Sequence, residues 1–339
     1  MGSPESPKSS SRQLLSYLLR RFFIYVRTTP PPSVHSKGAY NPFYCLLLLF
    51  CFTTPTTAQT SIVIRRTPKG IVVAADSKAT TDSAQRDSLG RITVSHTEFT
   101  KCKIRQADTA TFFAVSGTFD FDVDTLALQG CKEGGTFSEK VKAFDRAARP
   151  RVTQMIQNLW RLSTAAYDGL IAQRKPILEI VVFGVENKLP AFVTLELTIE
   201  NQPTLSLVIP GIPRFDYGGS GIPPEIKFAE PRIIACPSED YPANKSLWYL
   251  LGRREVINGL WDDITEKFWS GFGDVDGVRF LVAVECAAAS EVVGKPIDVL
   301  SVDAKGKAEW KYRKPECAEI QQPSPSGPAK THPQERNHR

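Results

Sequence analysis

The sequence predicts an α+β domain, and three stretches carry this prediction. Residues 61–64 and 71–75 are β-branched, apolar runs separated by a Pro-Lys-Gly turn, which is typical of a β-hairpin. Residues 177–184 and 191–199 form a second pair of apolar runs around a short turn. Between the two pairs, residues 138–170 place apolar side chains at steps of three and four, which indicates a helix.

Further elements complete the predicted order. Residues 121–131 are typical of a first helix capped by Asp120 or Asp122, and Pro150 is expected to kink or split the helical stretch 138–170. The sequence also predicts a loop or exposed hairpin at residues 81–100, a strand at residues 111–115 and a third strand after the second pair at residues 205–209. These are followed by two helical stretches, at residues 244–261 and 277–289, and by a closing hairpin of residues 296–302 and 308–312.

Composition argues against several classes of function. The chain has 339 residues, of which 42% are hydrophobic and 23% charged, as in ordinary globular proteins. Much of its formal net charge of +6 comes from the ends of the chain, and no stripe of alternating basic and aromatic residues runs through the middle. We therefore expect no nucleic-acid partner. No feature of the sequence calls for a cofactor.

The cysteines and histidines point away from a metal site. The seven cysteines include no CxxC pair and show no ligand-like spacing. Five of them lie beyond the first 59 residues, so at least one stays unpaired within a monomer. Only His96 lies in the central region, in a polar stretch where a surface position is commoner than a place in a Ser-His-Asp triad.

The first 59 residues are typical of a targeting sequence. Their start is rich in Ser and Pro, and residues 44–52 form an apolar run that is too short to span a bilayer but fits the core of a secretory signal. Small residues at Thr56 and Ala58 allow cleavage after Ala58. We expect an exported protein, periplasmic or extracellular, or one that the leader anchors. Contact with a membrane is expected only through this leader.

Residues 60–80, with the sequence TSIVIRRTPKGIVVAADSKAT, carry a resemblance to a known family. The stretch resembles the start of a mature proteasome β-type subunit, a member of the N-terminal nucleophile (Ntn) hydrolase superfamily. The resemblance implies a four-layer αββα sandwich, two antiparallel sheets covered by helices, over residues 60–312. Residues 313–339 hold five prolines and no apolar period, which predicts a disordered tail.

The resemblance also implies a nucleophile and its electrostatic support. Thr60 matches the catalytic threonine, which carries a hydroxyl nucleophile and a free α-amine base on one residue once it is the chain terminus. Lys103, or failing that Lys101, matches the lysine beside the hydroxyl. Asp76 matches the aspartate that pairs with this ammonium. Without the resemblance, Lys103 would be a solvated strand-end lysine and Asp76 a turn carboxylate.

Two further positions match family motifs. Gly117 lies where the family turns from strand to helix and a backbone N–H serves as oxyanion donor. Ser220, in Gly219-Ser220-Gly221, matches a serine beside the catalytic threonine. Gly117 is also compatible with a simple turn, and Ser220 with an incidental serine in a Gly-rich turn.

The chain departs from the family in two places. The family has Gly before its catalytic threonine, and this chain has Gln59; the family's Asp-x-x-Ser-Gly before the closing hairpin corresponds here to Ser290 through Gly294, with Val293 at the serine position. Cleavage after Ala58 leaves Gln59 in front of Thr60, so either the signal peptidase cuts after Gln59, or Gln59 is removed later, or Thr60 never becomes the terminus. Two functions follow. The first is an exported threonine hydrolase that cleaves a peptide or other amide. The second is an inactive structural or binding protein in which Gln59 caps Thr60. Family members assemble through helix faces, so a homo-oligomer is compatible with either.

Overall fold

The computed structural model describes residues 60–86, 92–119, 121–201, 222–261, 272–290 and 293–318. All of them belong to one of the chain's two compact units, Thr54–Arg339. The expected leader, the expected third strand at residues 205–209 and Ser220 lie outside the described residues.

The described strands all pair in an antiparallel manner. They are β1 (Ser61–Thr67), β2 (Gly70–Ala75), β3 (Lys78–Arg86), β4 (Ile92–Thr100), β5 (Ile104–Gln106), β6 (Thr111–Gly117), β7 (Leu178–Glu186), β8 (Leu189–Leu197), β9 (Arg232–Cys236), β10 (Leu247–Gly252), β11 (Asp298–Asp303) and β12 (Ala308–Tyr312). The first sheet has the order β10-β1-β2-β11-β12, and the second has the order β5-β6-β7-β8-β9. β3 and β4 form a separate hairpin, which is one of the two outcomes expected for residues 81–100.

The two hairpins predicted from paired apolar runs, at residues 61–75 and 177–199, form in the expected places. β1 pairs with β2, and Ile62 lies opposite Ala75. β7 pairs with β8 through a two-residue turn at Asn187 and Lys188, whose φ angles are 51° and 65°. Two successive residues with positive φ give a turn whose twist matches that of the strands, and Asn is favoured there.

The described helices fall between β6 and β7, between β10 and β11, and after β12. They are α1 (Val123–Lys132), α2 (Phe137–Leu162), α3 (Thr164–Ala172), α4 (Glu255–Trp261), α5 (Asp274–Ala288) and α6 (Pro315–Ala318). Antiparallel sheets with helices in separate stretches confirm the predicted α+β class.

The helix ends follow from their capping residues. The Asp122 side chain accepts a hydrogen bond from the Thr125 N–H at the start of α1. The long helical stretch is divided, but at Ser163 and not at Pro150, so of the two outcomes expected for the proline, a kink or a split, the split does not occur. α2 continues through Pro150 because its apolar face stays buried on both sides of the proline. Ser163 ends α2 in an extended conformation and caps α3 by accepting from the Ala166 N–H.

Three apolar clusters place the sheets and helices relative to one another. One cluster joins inward-facing residues of both sheets, among them Ile62 and Phe183. A second packs the other face of the second sheet on α1, α2 and α3, and a third packs the other face of the first sheet on α4 and α5. Ile62 and Val63 belong to different clusters because successive side chains of a strand point to opposite faces. Each sheet therefore buries apolar side chains on both of its faces.

One predicted helix is partly wrong. Residues 244–261 were expected to be helical, but β10 occupies residues 247–252 and the helix starts only at Glu255. β10 pairs along β1, with Val63 opposite Leu250. Its aromatic residues alternate between faces, since Tyr249 packs near Phe192 and Trp248 packs near Trp261. This tertiary pairing favours a strand for a segment whose local composition is ambiguous.

The folded region extends beyond Tyr312 into the stretch that the sequence predicts to be a disordered tail. Lys314 forms a buried ion pair with Asp298 at 3.1 Å, and Cys317 forms a disulfide with Cys102. Cys131, Cys236 and Cys286 are free and buried. Across the described part of the chain, no helix combines the length and the apolar character needed to cross a membrane.

Candidate active site

Thr60 lies directly before β1 and is buried, with 3% of its surface exposed. Its carbonyl oxygen accepts two hydrogen bonds, from the Arg253 N–H at 2.8 Å and from the Ser116 hydroxyl at 3.2 Å. Arg253 follows β10 in the first sheet, and Ser116 lies near the end of β6 in the second sheet. The residue is therefore held through its backbone by both sheets, which leaves its side chain available for other contacts.

Gly252 makes this arrangement possible. Its φ is 70°, and a Cβ atom at this position would lie 1.7 Å from the Thr60 carbonyl oxygen and 2.4 Å from the Ser116 hydroxyl. Any side chain would push the backbone of Thr60 out of place. Neither the role of Gly252 nor that of Ser116 can be identified from the sequence, because their relation to Thr60 depends on strand pairing between distant parts of the chain.

Lys103 approaches the Thr60 side chain directly. Its Nζ donates a hydrogen bond to Thr60 Oγ1 at 2.5 Å, and the lysine is buried between Cys102 and the start of β5. The alternative of a solvated strand-end lysine is therefore wrong. Lys101, the fallback candidate, instead forms an ion pair with Asp124 at 2.8 Å.

Asp76 is fully buried at the end of β2 and accepts three backbone hydrogen bonds. Its Oδ1 accepts from the Ser61 N–H at 2.9 Å, and its Oδ2 accepts from the Lys78 N–H at 3.1 Å and the Gly294 N–H at 3.2 Å. These bonds go to the backbone and not to Lys103, so Asp76 orients the chain around Thr60 and acts on the lysine through its charge.

Burial shapes the ionisation of this pair. Burial lowers the pKa of Lys103, and the nearby Asp76 carboxylate partly opposes this effect. Burial likewise raises the pKa of Asp76, while Lys103 and the three backbone N–H groups act in the opposite direction. A lysine whose Nζ donates to a hydroxyl can stabilise the ionised form of that hydroxyl.

Gly117 ends β6 at the turn that leads toward α1. Its φ is 138°, and a Cβ atom there would lie 2.3 Å from the Ile177 carbonyl oxygen, so only glycine fits. The next N–H, that of Thr118, donates to the same Ile177 oxygen at 2.9 Å. The turn accounts for the glycine, and its role as an oxyanion donor stays a prediction.

The segment before β11 contacts Asp76 through its backbone. Gly294 donates its N–H to Asp76 and accepts from the Ser77 N–H at 3.0 Å. Val293, at the position where the family has serine, is fully buried in the cluster with α5. The backbone of Gly294 thus reaches the site although the serine side chain is missing.

No protein-family model matches the chain, and no curated protein matches it either. Evidence for a function therefore comes from the geometry of the site and from the sequence. In the described ranges, no group of three or more His, Cys, Asp or Glu side chains is arranged to hold a metal ion.

A buried polar network lies next to the site. Glu179 Oε2 accepts from the Gly252 N–H at 2.6 Å, and Arg254 lies 3.6 Å from both Glu179 and Glu196. The Tyr249 hydroxyl donates to Glu196 at 3.0 Å. Burial raises the pKa of Glu179 to about 7, with Arg254 opposing this shift and Glu196 adding to it.

The Glu179→Gln variant is expected to flatten the dependence of stability on pH. Because the pKa of Glu179 is raised by folding, its contribution is present at pH 4.5 and below and is lost as the pH rises through about 7. The difference between wild type and variant should change by on the order of 3 kcal/mol between pH 5 and pH 8. Urea unfolding at several pH values measures it.

The exposed Glu200 provides the matched control for this experiment. Glu200→Gln should keep the wild-type slope of unfolding free energy against pH. If Glu179→Gln keeps that slope as well, Glu179 does not titrate with a raised pKa in the folded protein.

Proposed function

We propose that the chain is an exported threonine hydrolase of the Ntn superfamily that cleaves an amide bond through an acyl-enzyme on Thr60. We propose with it the four-layer αββα sandwich of that superfamily. Two observations support the architecture: an apolar cluster between two antiparallel sheets, and helices packed on the other face of each sheet. The resemblance of residues 60–80 to proteasome β-type subunits supports the family.

The observation that carries the proposal is the contact between Lys103 Nζ and Thr60 Oγ1 at 2.5 Å. A buried lysine is costly unless its interactions offset the loss of water. Here the Lys103 amine donates to the Thr60 hydroxyl, and the buried Asp76 carboxylate lies nearby and balances its charge. A nucleophile beside a group that stabilises its ionised form is the arrangement that covalent catalysis requires.

The proposed reaction uses groups of this chain alone. The free α-amine of Thr60 takes the hydroxyl proton, and Oγ1 attacks the substrate carbonyl carbon. An α-amine has an unperturbed pKa of about 8, which suits a base near neutral pH. The Lys103 ammonium stabilises the developing alkoxide, and the Gly117 N–H is the proposed oxyanion donor. The leaving amine receives the proton, and water then hydrolyses the ester to release the acid and restore Thr60.

The proposed substrate is a peptide or another amide. Ntn folds host amidases and acylases as well as proteases, so the fold alone does not choose between them. We propose a periplasmic or extracellular location on the strength of the signal-like leader. A homo-oligomer is compatible with the proposal, and no nucleic-acid partner is part of it.

One sequence feature favours a second function, that of an inactive structural or binding protein. Gln59 precedes Thr60, and as long as it stays attached the α-amine of Thr60 is tied up in an amide. An amide nitrogen cannot serve as the base. The backbone contacts of Thr60 would then serve only to hold the start of β1.

The intact mass and N-terminal sequence of the mature protein, purified from its native host, test the proposal. We expect a terminus at Thr60, together with hydrolysis of peptide or acyl-amide substrates. A terminus at Gln59 or an uncleaved leader, without hydrolysis, would contradict the proposal and favour the binding role.

A further inference from the structure

A disulfide joins the chain next to Lys103 to its C-terminal part. Cys102 directly precedes Lys103 and is bonded to Cys317 across a sequence separation of 215 residues. Both cysteines are buried. The proposed reaction does not use this crosslink, and Cys317 lies in the stretch that the sequence predicts to be a disordered tail.

Lys314 forms a second link between the same two parts of the chain. Its Nζ donates to the Lys101 carbonyl oxygen at 2.5 Å and forms an ion pair with Asp298 at 3.1 Å. Both side chains of this ion pair are 1% exposed. Asp298 also accepts from the Lys314 backbone N–H at 3.0 Å. The Lys314 side chain thus contacts both Lys101, which precedes Cys102, and Asp298, the first residue of β11.

Further contacts fix residues 313–317, which we name the C-terminal clamp. The Arg313 guanidinium donates to the Cys317 carbonyl oxygen and lies 4.6 Å from the centre of the Trp310 ring on β12. The Cys317 N–H donates to the Lys314 carbonyl oxygen at 3.1 Å. The clamp therefore has its own internal hydrogen bonds and an anchor on the first sheet.

We infer that the C-terminal clamp positions Lys103 against Thr60, and that the Cys102–Cys317 disulfide must be formed for full activity. The inference rests on the proposed function as far as activity is concerned. The clamp holds the backbone on the N-terminal side of Lys103 at two points, at Lys101 through the Lys314 side chain and at Cys102 through the disulfide. Each link limits the movement of the segment that carries the lysine, so loss of either one loosens that segment.

The charge of Lys314 also affects Lys103. Burial is the main cause that lowers the pKa of Lys103, Lys101 and Lys314 add to this effect, and Asp76 and Asp124 oppose it. Lys314 acts as a positioning residue through its contacts with Lys101 and Asp298.

Reduction is the chemical step that opens the clamp. A thiolate of a dithiol reductant such as dithiothreitol attacks one sulfur of the disulfide and releases the other as a thiolate, which takes up a proton. The second thiol of the reductant resolves the mixed disulfide. Two cysteine thiols and one cyclic oxidised reductant result, so the two electrons come from the reductant.

The test compares the mature wild-type protein with the Cys102→Ser/Cys317→Ser double variant. We expect faster amide hydrogen exchange at residues 101–106 and a fall in kcat of at least 10-fold with little change in KM, because positioning of the lysine affects the transition state more than binding. The control is Cys131→Ser, which removes a buried free thiol in α1 but no crosslink. It should retain wild-type exchange at residues 101–106 and wild-type kcat.

A second variant covers the case in which the double variant does not fold. Lys314→Met keeps the disulfide and removes the bond to the Lys101 carbonyl, and we expect it to speed exchange at residues 101–106 and lower kcat by about 3-fold or more. Unchanged exchange in the folded variants overturns the clamp, whether or not the protein hydrolyses a substrate. Faster exchange with unchanged kcat overturns its link to activity. Faster exchange in a protein whose wild type hydrolyses nothing supports the clamp and contradicts the proposed function.

Discussion

Replacing Thr60 by alanine is expected to abolish amide hydrolysis while the fold remains intact. The variant loses Oγ1, so the nucleophile and the partner of Lys103 disappear together. Removing a catalytic nucleophile lowers kcat by a factor on the order of 10⁴ or more. The fold should persist because Thr60 is held through its carbonyl oxygen, and alanine keeps this group and its bonds to Arg253 and Ser116. Steady-state hydrolysis and thermal unfolding measure the two effects.

Thr60→Ser is the matched control for this prediction. Serine keeps a hydroxyl within reach of Lys103 and loses only a methyl group, so it should retain measurable hydrolysis. N-terminal sequencing of each variant shows whether the terminus is the same as in the wild type. Hydrolysis by Thr60→Ala at the wild-type rate, with the same terminus, would place the nucleophile elsewhere.

Lys103→Met is expected to lower kcat by a factor on the order of 10³, with a smaller effect on KM. Methionine resembles the lysine stem in length but has no charge and no donor, so the Thr60 hydroxyl loses its partner. The variant also leaves the buried Asp76 carboxylate without a nearby cation, and we expect the free energy of unfolding to fall at neutral pH. Initial-rate kinetics and urea unfolding measure these changes.

The neighbouring lysine provides the control. Lys101 contacts Asp124 and not Thr60, so Lys101→Met should keep kcat within a few-fold of the wild-type value. Equal losses of kcat in the two lysine variants would indicate a general effect of charge near the site. The contact of Lys103 with Thr60 would then not be what matters.

The parts of the fold that the sequence predicts are those set by local pattern. The β1–β2 and β7–β8 hairpins consist of continuous buried apolar runs joined by turn residues suited to their geometry, so each can be located from a short window. β10 could not be located in this way. Its sequence LWYLLG fits a strand or a helix, and only its pairing with β1, far away in the sequence, decides the outcome.

The sequence likewise predicts only some of the residues of the candidate site. Thr60, Asp76 and Lys103 could be named because a family resemblance gave their order and spacing, and the structure brings them together. Ser116, Gly252 and Glu179 could not be named, since nothing local distinguishes them. Each acquires its place beside Thr60 through the two sheets: Gly252 pairs with Ser61, and Glu179 bonds to Gly252 across the sheet interface.

The Gly294–Asp76 bond has a consequence for the synthesis of the protein. Its partners are 218 residues apart, and β2 pairs with β11 only after β11 has been made. A chain still on the ribosome can form the β1–β2 hairpin but lacks the third donor to Asp76, as well as the β10 and β11 strands on either side of that hairpin. Such distant pairings also form late because a long loop must close first. The Thr60 site is therefore completed only when translation of the domain is nearly finished. Chains truncated before Gly294 never assemble it.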